Sequence, residues 1–152
     1  MKWIVFCLAF SFCAWLIAPH LAGLENKFFH EDTIELTAIE QDIFNLINQR
    51  REAEYFDLPT LTWDKALYKK AKEHSLWMAK TNNFEHSAGA ECENIFKGIG
   101  YVYPQIAESC VESWMLSPLH RRSLLLPEIT HATVAIAISE DHNIVFATFM
   151  AR

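Results

Sequence analysis

The C-terminal part of the chain contains a strand pattern that restricts the fold to a layered one. Within residues 133–139, large β-branched side chains alternate with alanines: Val134, Ala135, Ile136, Ala137 and Ile138. This period of two predicts a strand, and the small residues on its second face indicate that another element packs closely there. A second apolar run, 144–150, follows a polar turn at 140–143, which predicts a β-hairpin. Both faces of the hairpin should therefore be covered.

Helical periodicity dominates the chain before this hairpin. Residues 33–55 have apolar side chains at 3-4-3-4 spacing, with polar residues between them. Further helices are predicted at 65–81, 104–116 and 117–126. Residues 61–64 form a connector in which Thr62 or Asp64 can cap the second helix. Four helices followed by a hairpin predict an α+β layered domain.

Residues 84–100 are the least regular part of the pattern. They contain histidine, acidic residues, asparagine and three glycines between apolar helices. We predict a loop here, and polar loops between packed elements are where functional residues tend to collect.

The N-terminus has the features of an export segment. Lys2 precedes sixteen uncharged apolar residues at 3–18, and the stretch reaches 22 residues if it continues to Leu24. We assign 1–24 to either a cleaved signal peptide or an uncleaved membrane anchor, because no good cleavage site is present but the length suffices for a bilayer. Residues 25–33 form a linker and 34–152 a domain. Either alternative places the domain in the secreted fraction or on the outer side of the cytoplasmic membrane.

Charge argues against some partners. The net charge of −6 gives no electrostatic reason to expect nucleic acid or anionic lipid. The basic pairs Lys69–Lys70 and Arg121–Arg122 are interpreted as solvated helix faces. If residues 1–24 are an uncleaved anchor, they attach the chain to the membrane.

Four cysteines are present, and two of them fall in the domain. Cys7 and Cys13 lie in the apolar run, where they act as small apolar residues. Cys92 and Cys110 form an even pair in an oxidising compartment, which favours a disulfide closing a loop of about 18 residues and contributing about 3 kcal/mol. The alternative is two free buried thiols.

The stretch 114–125 combines a helix start with a candidate site histidine. Ser117 can act as an N-cap through its side-chain oxygen, and Pro118 suits the first helical position. His120 then lies in the first turn, where the helix dipole disfavours the imidazolium form. A neutral ring can donate from one nitrogen and accept or ligate with the other.

Four short motifs in this order resemble the CAP superfamily. They are T-W-D at 62–64, N-F-E-H-S at 83–87, E-N-I at 93–95 and W-M-L-S-P-L-H-R at 114–121. This superfamily includes cysteine-rich secretory proteins, insect venom antigens, plant pathogenesis-related class 1 proteins and bacterial SCP-like domains. The resemblance covers residue 34 to the C-terminus and is nearest to the short bacterial form. It implies an α-β-α sandwich with a central antiparallel sheet and an open cavity.

The resemblance also implies a set of site residues. The family's cavity holds two histidines and two acidic residues, and it binds a divalent metal in some members. The matching positions here are His86, Glu93 and His120, whereas the fourth position is Ser117 instead of glutamate. Glu108 and Glu112 on the preceding helix are the candidates for the missing carboxylate.

The chemistry of these residues leaves two alternatives open. Two neutral imidazoles and one carboxylate can form a ligand set for zinc, with water as fourth ligand, and magnesium is a second candidate. The same three residues can instead form a hydrogen-bonded cluster in which Glu93 orients one ring. Asn94, Trp63 and Trp114 are predicted to be structural.

Three classes of function follow. The preferred one is an exported binding or interaction module whose cavity takes a metal, a lipid or a small apolar ligand. The second is a hydrolase using Ser117, His120 and Glu93, or Cys92 with His86, but no recognised nucleophile turn is present. The third is a structural envelope protein that acts through its surface.

Overall fold

The computed structural model describes residues 36–55, 57–100 and 105–152. The compact unit Leu36–Arg152 contains all of them. The predicted export segment at 1–24 and the linker at 25–33 lie outside the described residues. Among the helices that are described, none has the length and apolarity needed to cross a bilayer.

The described residues of this unit form four helices and four strands. In chain order they are α1 (residues 36–54), β1 (Thr62–Trp63), α2 (Lys65–Thr81), β2 (Glu93–Ile99), α3 (Ile106–Leu116), α4 (Pro118–Leu124), β3 (His131–Ile138) and β4 (Ile144–Ala151). The four predicted helices and the C-terminal hairpin are confirmed. Asp64 caps α2, because its Oδ1 accepts from the N–H groups of Ala66 and Leu67 at 2.8 and 3.0 Å.

The four strands form one sheet in the order β1-β3-β4-β2. The short β1 pairs with β3 in parallel, whereas β3–β4 and β4–β2 are antiparallel. Strand β2 was not predicted, since residues 84–100 were interpreted as a loop. Its sequence includes Asn94 and Gly98, which have low strand propensity. Pairing with β4 along its full length, from Glu93–Met150 to Ile99–Ile144, overrides that preference.

Helices cover both faces of the sheet, as the alanine pattern of β3 predicted. On one face, Val134 and Ile136 belong to a core shared with α1, α3 and α4. On the other face, Ala135 and Ala137 pack against α2. The close approach of α2 is visible at Ser75, whose hydroxyl donates to the carbonyl of Ala135 at 3.0 Å. The architecture is therefore an α-β-α sandwich.

Two buried charged residues on α1 connect this helix to the neighbouring helices and to the sheet through hydrogen bonds. Glu40, which is 1% exposed, accepts hydrogen bonds from Tyr68 and Lys72 of α2 and from the backbone N–H of Ile136, each at 2.9 Å. Arg51 is equally buried and donates to backbone carbonyls that include those of Pro59, Leu124 and Leu126. Because Leu124 ends α4, the Arg51 guanidinium fixes the helix that carries His120. Neither role was predicted from the sequence.

Candidate functional site

Glu93, the first residue of β2, has a buried carboxylate that lies under the 83–87 loop. The side chain of Glu93 is only 2% exposed. Its Oε1 accepts from His86 Nδ1 at 2.7 Å and from the backbone N–H of Ser87 at 3.0 Å, while its Oε2 accepts from the Ser87 hydroxyl at 2.5 Å. Three donors around one desolvated carboxylate make a strong local constraint, because charge-assisted hydrogen bonds are stronger than neutral ones.

His86 is oriented by this carboxylate but remains open to solvent. Its side chain is 56% exposed. Since a carboxylate oxygen only accepts, Nδ1 of His86 donates, and in the neutral ring Nε2 is left with a lone pair. When a carboxylate binds one ring nitrogen of a metal-ligating histidine, it fixes the ring orientation and makes the other nitrogen a better ligand.

His120 faces His86 from the start of α4. The two ring centroids are 6.5 Å apart, and the rings are inclined by 50°. The pKa of His120 is lowered, first by burial and second by the neighbouring His86. The helix dipole alone predicted a neutral His120. The direction agrees, but burial and His86 are the causes that the structure supplies.

Asn94 and Ile95, the next two residues of β2, form hydrogen bonds with helices α4 and α3. The side-chain amide of Asn94 donates to the carbonyl of His120 at 3.0 Å, and its oxygen accepts from the Ser123 hydroxyl at 2.6 Å. The indole N–H of Trp114, which is fully buried, donates to the carbonyl of Ile95 at 3.0 Å. The first three residues of β2 thus join the loop, α4 and α3. Asn94 is structural as predicted, because its side chain binds α4.

Ser117 lies at the predicted helix start without the predicted hydrogen bond. It is the N-cap residue of α4 with Pro118 behind it, and its carbonyl accepts from the N–H of Arg121 at 2.8 Å. Its side chain makes no capping hydrogen bond. The helix therefore begins through the fixed backbone angle of Pro118 and not through a side-chain cap.

The predicted three-ligand metal shell is not formed. Among the residues the structure describes, no group of three His, Cys, Asp or Glu side chains is arranged to hold a metal. Both oxygens of Glu93 accept hydrogen bonds from His86 and Ser87, and its side chain is 2% exposed. Glu108 and Glu112, the candidates for the fourth position, point to solvent. The two imidazoles of His86 and His120 are the donors that remain.

The predicted disulfide is also not formed. Cys92 and Cys110 are both free. Cys110 is enclosed in the apolar core on α3, whereas Cys92 directs its thiol to the carbonyl of Ser123 at 3.9 Å. Burial raises the pKa of both thiols. A raised pKa disfavours the thiolate that a cysteine nucleophile needs.

The hydrogen bonds do not connect the proposed serine triad. Glu93 binds His86, so the carboxylate orients the loop histidine and not His120, which is nearer to Ser117 in sequence. Ser87, which the sequence analysis did not single out, is the hydroxyl bound to Glu93. Its position directly after His86 in the N-F-E-H-S motif was the only available signal.

A groove of about 660 Å³ lies on another part of the surface, between the end of α1 and α4. Its lining is mainly apolar with two arginines: Tyr55, Asp57, Leu58, Pro118, Arg121, Arg122, Leu125, Leu126 and Pro127. Arg121 is paired with Glu54 through both carboxylate oxygens. The histidine pair and this groove are therefore separate features joined by α4.

This fold and this histidine pair define a known class of protein. The family model for the CAP domain, described as the cysteine-rich secretory protein family, matches residues 44–150. The chain belongs to the CAP family. No curated protein is significantly similar to it in sequence.

Solved structures agree with the assignment. An outer surface protein from Borrelia burgdorferi superposes with a TM-score of 0.59 and 16% identity, over 76% of this chain and 92% of that one. A cysteine-rich secretory protein from Staphylococcus aureus gives 0.55 and 16%, over 76% of this chain and 39% of that one. The protein NaASP2, solved with Zn²⁺, gives 0.54 and 14%, over 72% and 77%. At these identities the likeness concerns the fold alone.

Proposed function

We propose that this chain is an exported binding module whose His86–His120 pair binds zinc. One observation carries the proposal: the two imidazoles face each other, with ring centroids 6.5 Å apart. Glu93 holds the proton of His86 on Nδ1, and burial lowers the pKa of His120. Zinc, when bound, would provide open coordination positions for an extracytoplasmic ligand.

The donor set favours zinc over magnesium. Imidazole nitrogens suit zinc, whereas magnesium prefers carboxylate and water oxygens. Glu93 would orient His86 from behind the ligating nitrogen, which is the usual arrangement around zinc-bound histidine. With two protein ligands and water completing the shell, we expect weaker binding than at sites with three or four protein ligands. The zinc in the NaASP2 structure supports the proposal by fold similarity.

Export rests on the N-terminal sequence and on the class of protein. Residues 1–24 have the composition of a signal peptide or an anchor. The Borrelia burgdorferi structure is named an outer surface protein. N-terminal sequencing of the protein from the cell surface and the medium tests this step. A protein found only in the cytoplasm would contradict it.

Calorimetric titration with zinc tests the metal site. We expect one site per chain, with binding lost in His86→Ala and in His120→Ala. His142→Asn is the matched control, because His142 is exposed in the β3–β4 turn, at φ 56°, where asparagine is tolerated. Unchanged zinc binding in both site variants, or equal loss in the control, would refute the proposal.

The groove between α1 and α4 supports a second binding function, for a small apolar ligand. Its volume of about 660 Å³ falls in the usual range for small-molecule sites. An apolar fluorescent probe should bind the protein, and Leu58→Gln should weaken that binding. Leu119→Gln is the control, since Leu119 is 78% exposed and is not part of the groove lining. Equal effects of the two changes would exclude the groove.

A further inference from the structure

The outward side of α2 combines basic and apolar side chains. Its exposed residues that are charged or large and apolar are Lys65, Lys69, Lys70, Glu73, Leu76, Trp77 and Lys80. Together with the neighbouring Phe84, we call these residues the α2 outer face. The opposite side of α2, with Ala71, Ser75 and Met78, is buried against the sheet. The helix therefore shows solvent a surface of its own.

This face is basic in an acidic protein. Helix α2 carries five lysines against one glutamate, whereas the whole chain has 13 Lys and Arg against 19 Asp and Glu. Lys72 is turned inwards to Glu40, which leaves four lysines on the outer face. The acidic groups near them are Glu73 on the helix, the N-cap Asp64, Glu85 beside Phe84, and Glu91, which lines the same surface pocket as Lys70. The net charge of the chain therefore conceals a local positive field.

The apolar residues of the face are large and held in place. Leu76, Trp77 and Phe84 are 52%, 38% and 47% exposed. The Trp77 ring stacks on His74, with centroids 5.6 Å apart and an angle of 12°. The Nε2 of His74 lies 2.9 Å from the carbonyl of Glu85 and so ties the Phe84 segment to the helix. The Trp77 ring therefore needs little further ordering on binding.

We propose that the α2 outer face docks on a bilayer that contains anionic lipid. Trp77, Leu76 and Phe84 enter the headgroup region, and the lysines reach the lipid phosphates. Charge complementarity requires an anionic occupant. The chemistry favours lipid over an acidic protein, because lysine is depleted in protein–protein interfaces, whereas lysine and tryptophan are both suited to the membrane interface.

Docking by this face determines which side of the domain stays accessible. Helix α2 packs on the sheet face that carries Ala135 and Ala137, while α4 belongs to the core on the opposite face. His120 is therefore on a helix of the opposite layer, whereas its neighbour His86 lies two residues from Phe84 on the docking side. The inference does not depend on zinc binding by the histidine pair.

Quenching of Trp77 fluorescence by brominated lipid tests the docking. The full chain is combined with vesicles of brominated phosphatidylcholine, with and without phosphatidylglycerol. Because the chain has five tryptophans, the signal of a Trp77→Phe variant is subtracted to isolate Trp77. We expect quenching in the anionic vesicles only, and its loss in about 1 M salt, where the Debye length is about 3 Å.

Variants with the same change in net charge distinguish the lysines of the α2 outer face from the charge of the whole chain as the cause of docking. Each lysine near an anionic surface strengthens docking about fivefold, so Lys69→Gln combined with Lys80→Gln should weaken docking about 25-fold. Arg50→Glu changes the net charge by the same two units from an exposed position on α1 and should leave docking unchanged. Circular dichroism verifies that both variants are folded.

Several results would overturn the inference. Equal quenching in neutral and anionic vesicles would mean that proximity alone brings Trp77 to the lipid. Equal loss in the lysine double variant and in Arg50→Glu would mean that only net charge matters. Absence of quenching, or shielding of Trp77 from acrylamide before lipid is added, would show that the face meets solvent or protein instead.

Discussion

Replacing Glu93 by glutamine should separate the charge of the buried carboxylate from its shape. Glutamine has nearly the same volume, and its oxygen can keep the hydrogen bonds from His86 Nδ1 and the Ser87 N–H. Its NH₂ group can donate to the Ser87 hydroxyl, which then rotates to accept. All three contacts can therefore persist, but each loses the assistance of a full charge.

The expected cost follows from this count. Hydrogen bonds to a charged group contribute about 1.5–3 kcal/mol and neutral ones about 1 kcal/mol. Allowing for the desolvation that the neutral amide avoids, we expect Glu93→Gln to lower the free energy of unfolding by about 1–2 kcal/mol. Glu93→Ala should cost about 3 kcal/mol or more, because it also leaves the Ser87 N–H without its partner and opens a void.

Urea unfolding measures the stability, and zinc titration measures the consequence for the site. Loss of the group that orients a zinc-binding histidine typically lowers metal affinity about 10–100-fold, which we expect for Glu93→Gln. Ser87→Ala is the control, because it removes only the hydroxyl bound to Oε2 and leaves the His86 contact. It should cost about 1 kcal/mol with little change in zinc affinity.

Two results would refute this reasoning. If Glu93→Ala costs less than about 1 kcal/mol, the carboxylate does not organise the loop. If Ser87→Ala lowers zinc affinity as much as Glu93→Gln, the effect comes from general loosening of the loop and not from the contact to His86.

Three further predictions concern neighbouring groups. The pKa of His120 is lowered by burial and by His86, so NMR titration should place it below about 6.5. His86→Ala should raise the pKa of His120, and an unchanged pKa in that variant would contradict the coupling. Because the lowered pKa means that the unfolded chain binds the proton more tightly, the contribution of His120 to stability is present above about pH 6.5 and is lost as pH falls through the folded-state pKa. Trp114→Phe should lower the free energy of unfolding by about 2–3 kcal/mol, through loss of the bond to Ile95 and of ring volume; a cost below about 1 kcal/mol would show that the indole N–H is dispensable. Alkylation of the unfolded, unreduced protein should modify both Cys92 and Cys110. If neither thiol is modified, the two cysteines form a disulfide after all.

Local sequence was sufficient for the helices and the hairpin. The 3-4-3-4 spacing of α1, the Asp64 cap of α2 and the alternation in β3 are interactions within a few residues, so the pattern itself contains the signal. The alanines of β3 also predicted a covered second face, which α2 provides. The motif order predicted the family and placed His86 and His120 in one site.

Only the tertiary structure decided β2 and the partners of the buried charges. Strand β2 exists because β4 pairs with it from about fifty residues away, against the preference of Asn94 and Gly98. The same pairing buries Glu93 under the loop, where the nearest donors are His86 and Ser87 and not a metal. Sequence specified which groups could bind, but their partners depend on burial and distance between residues far apart in the chain. Local patterns do not contain those quantities.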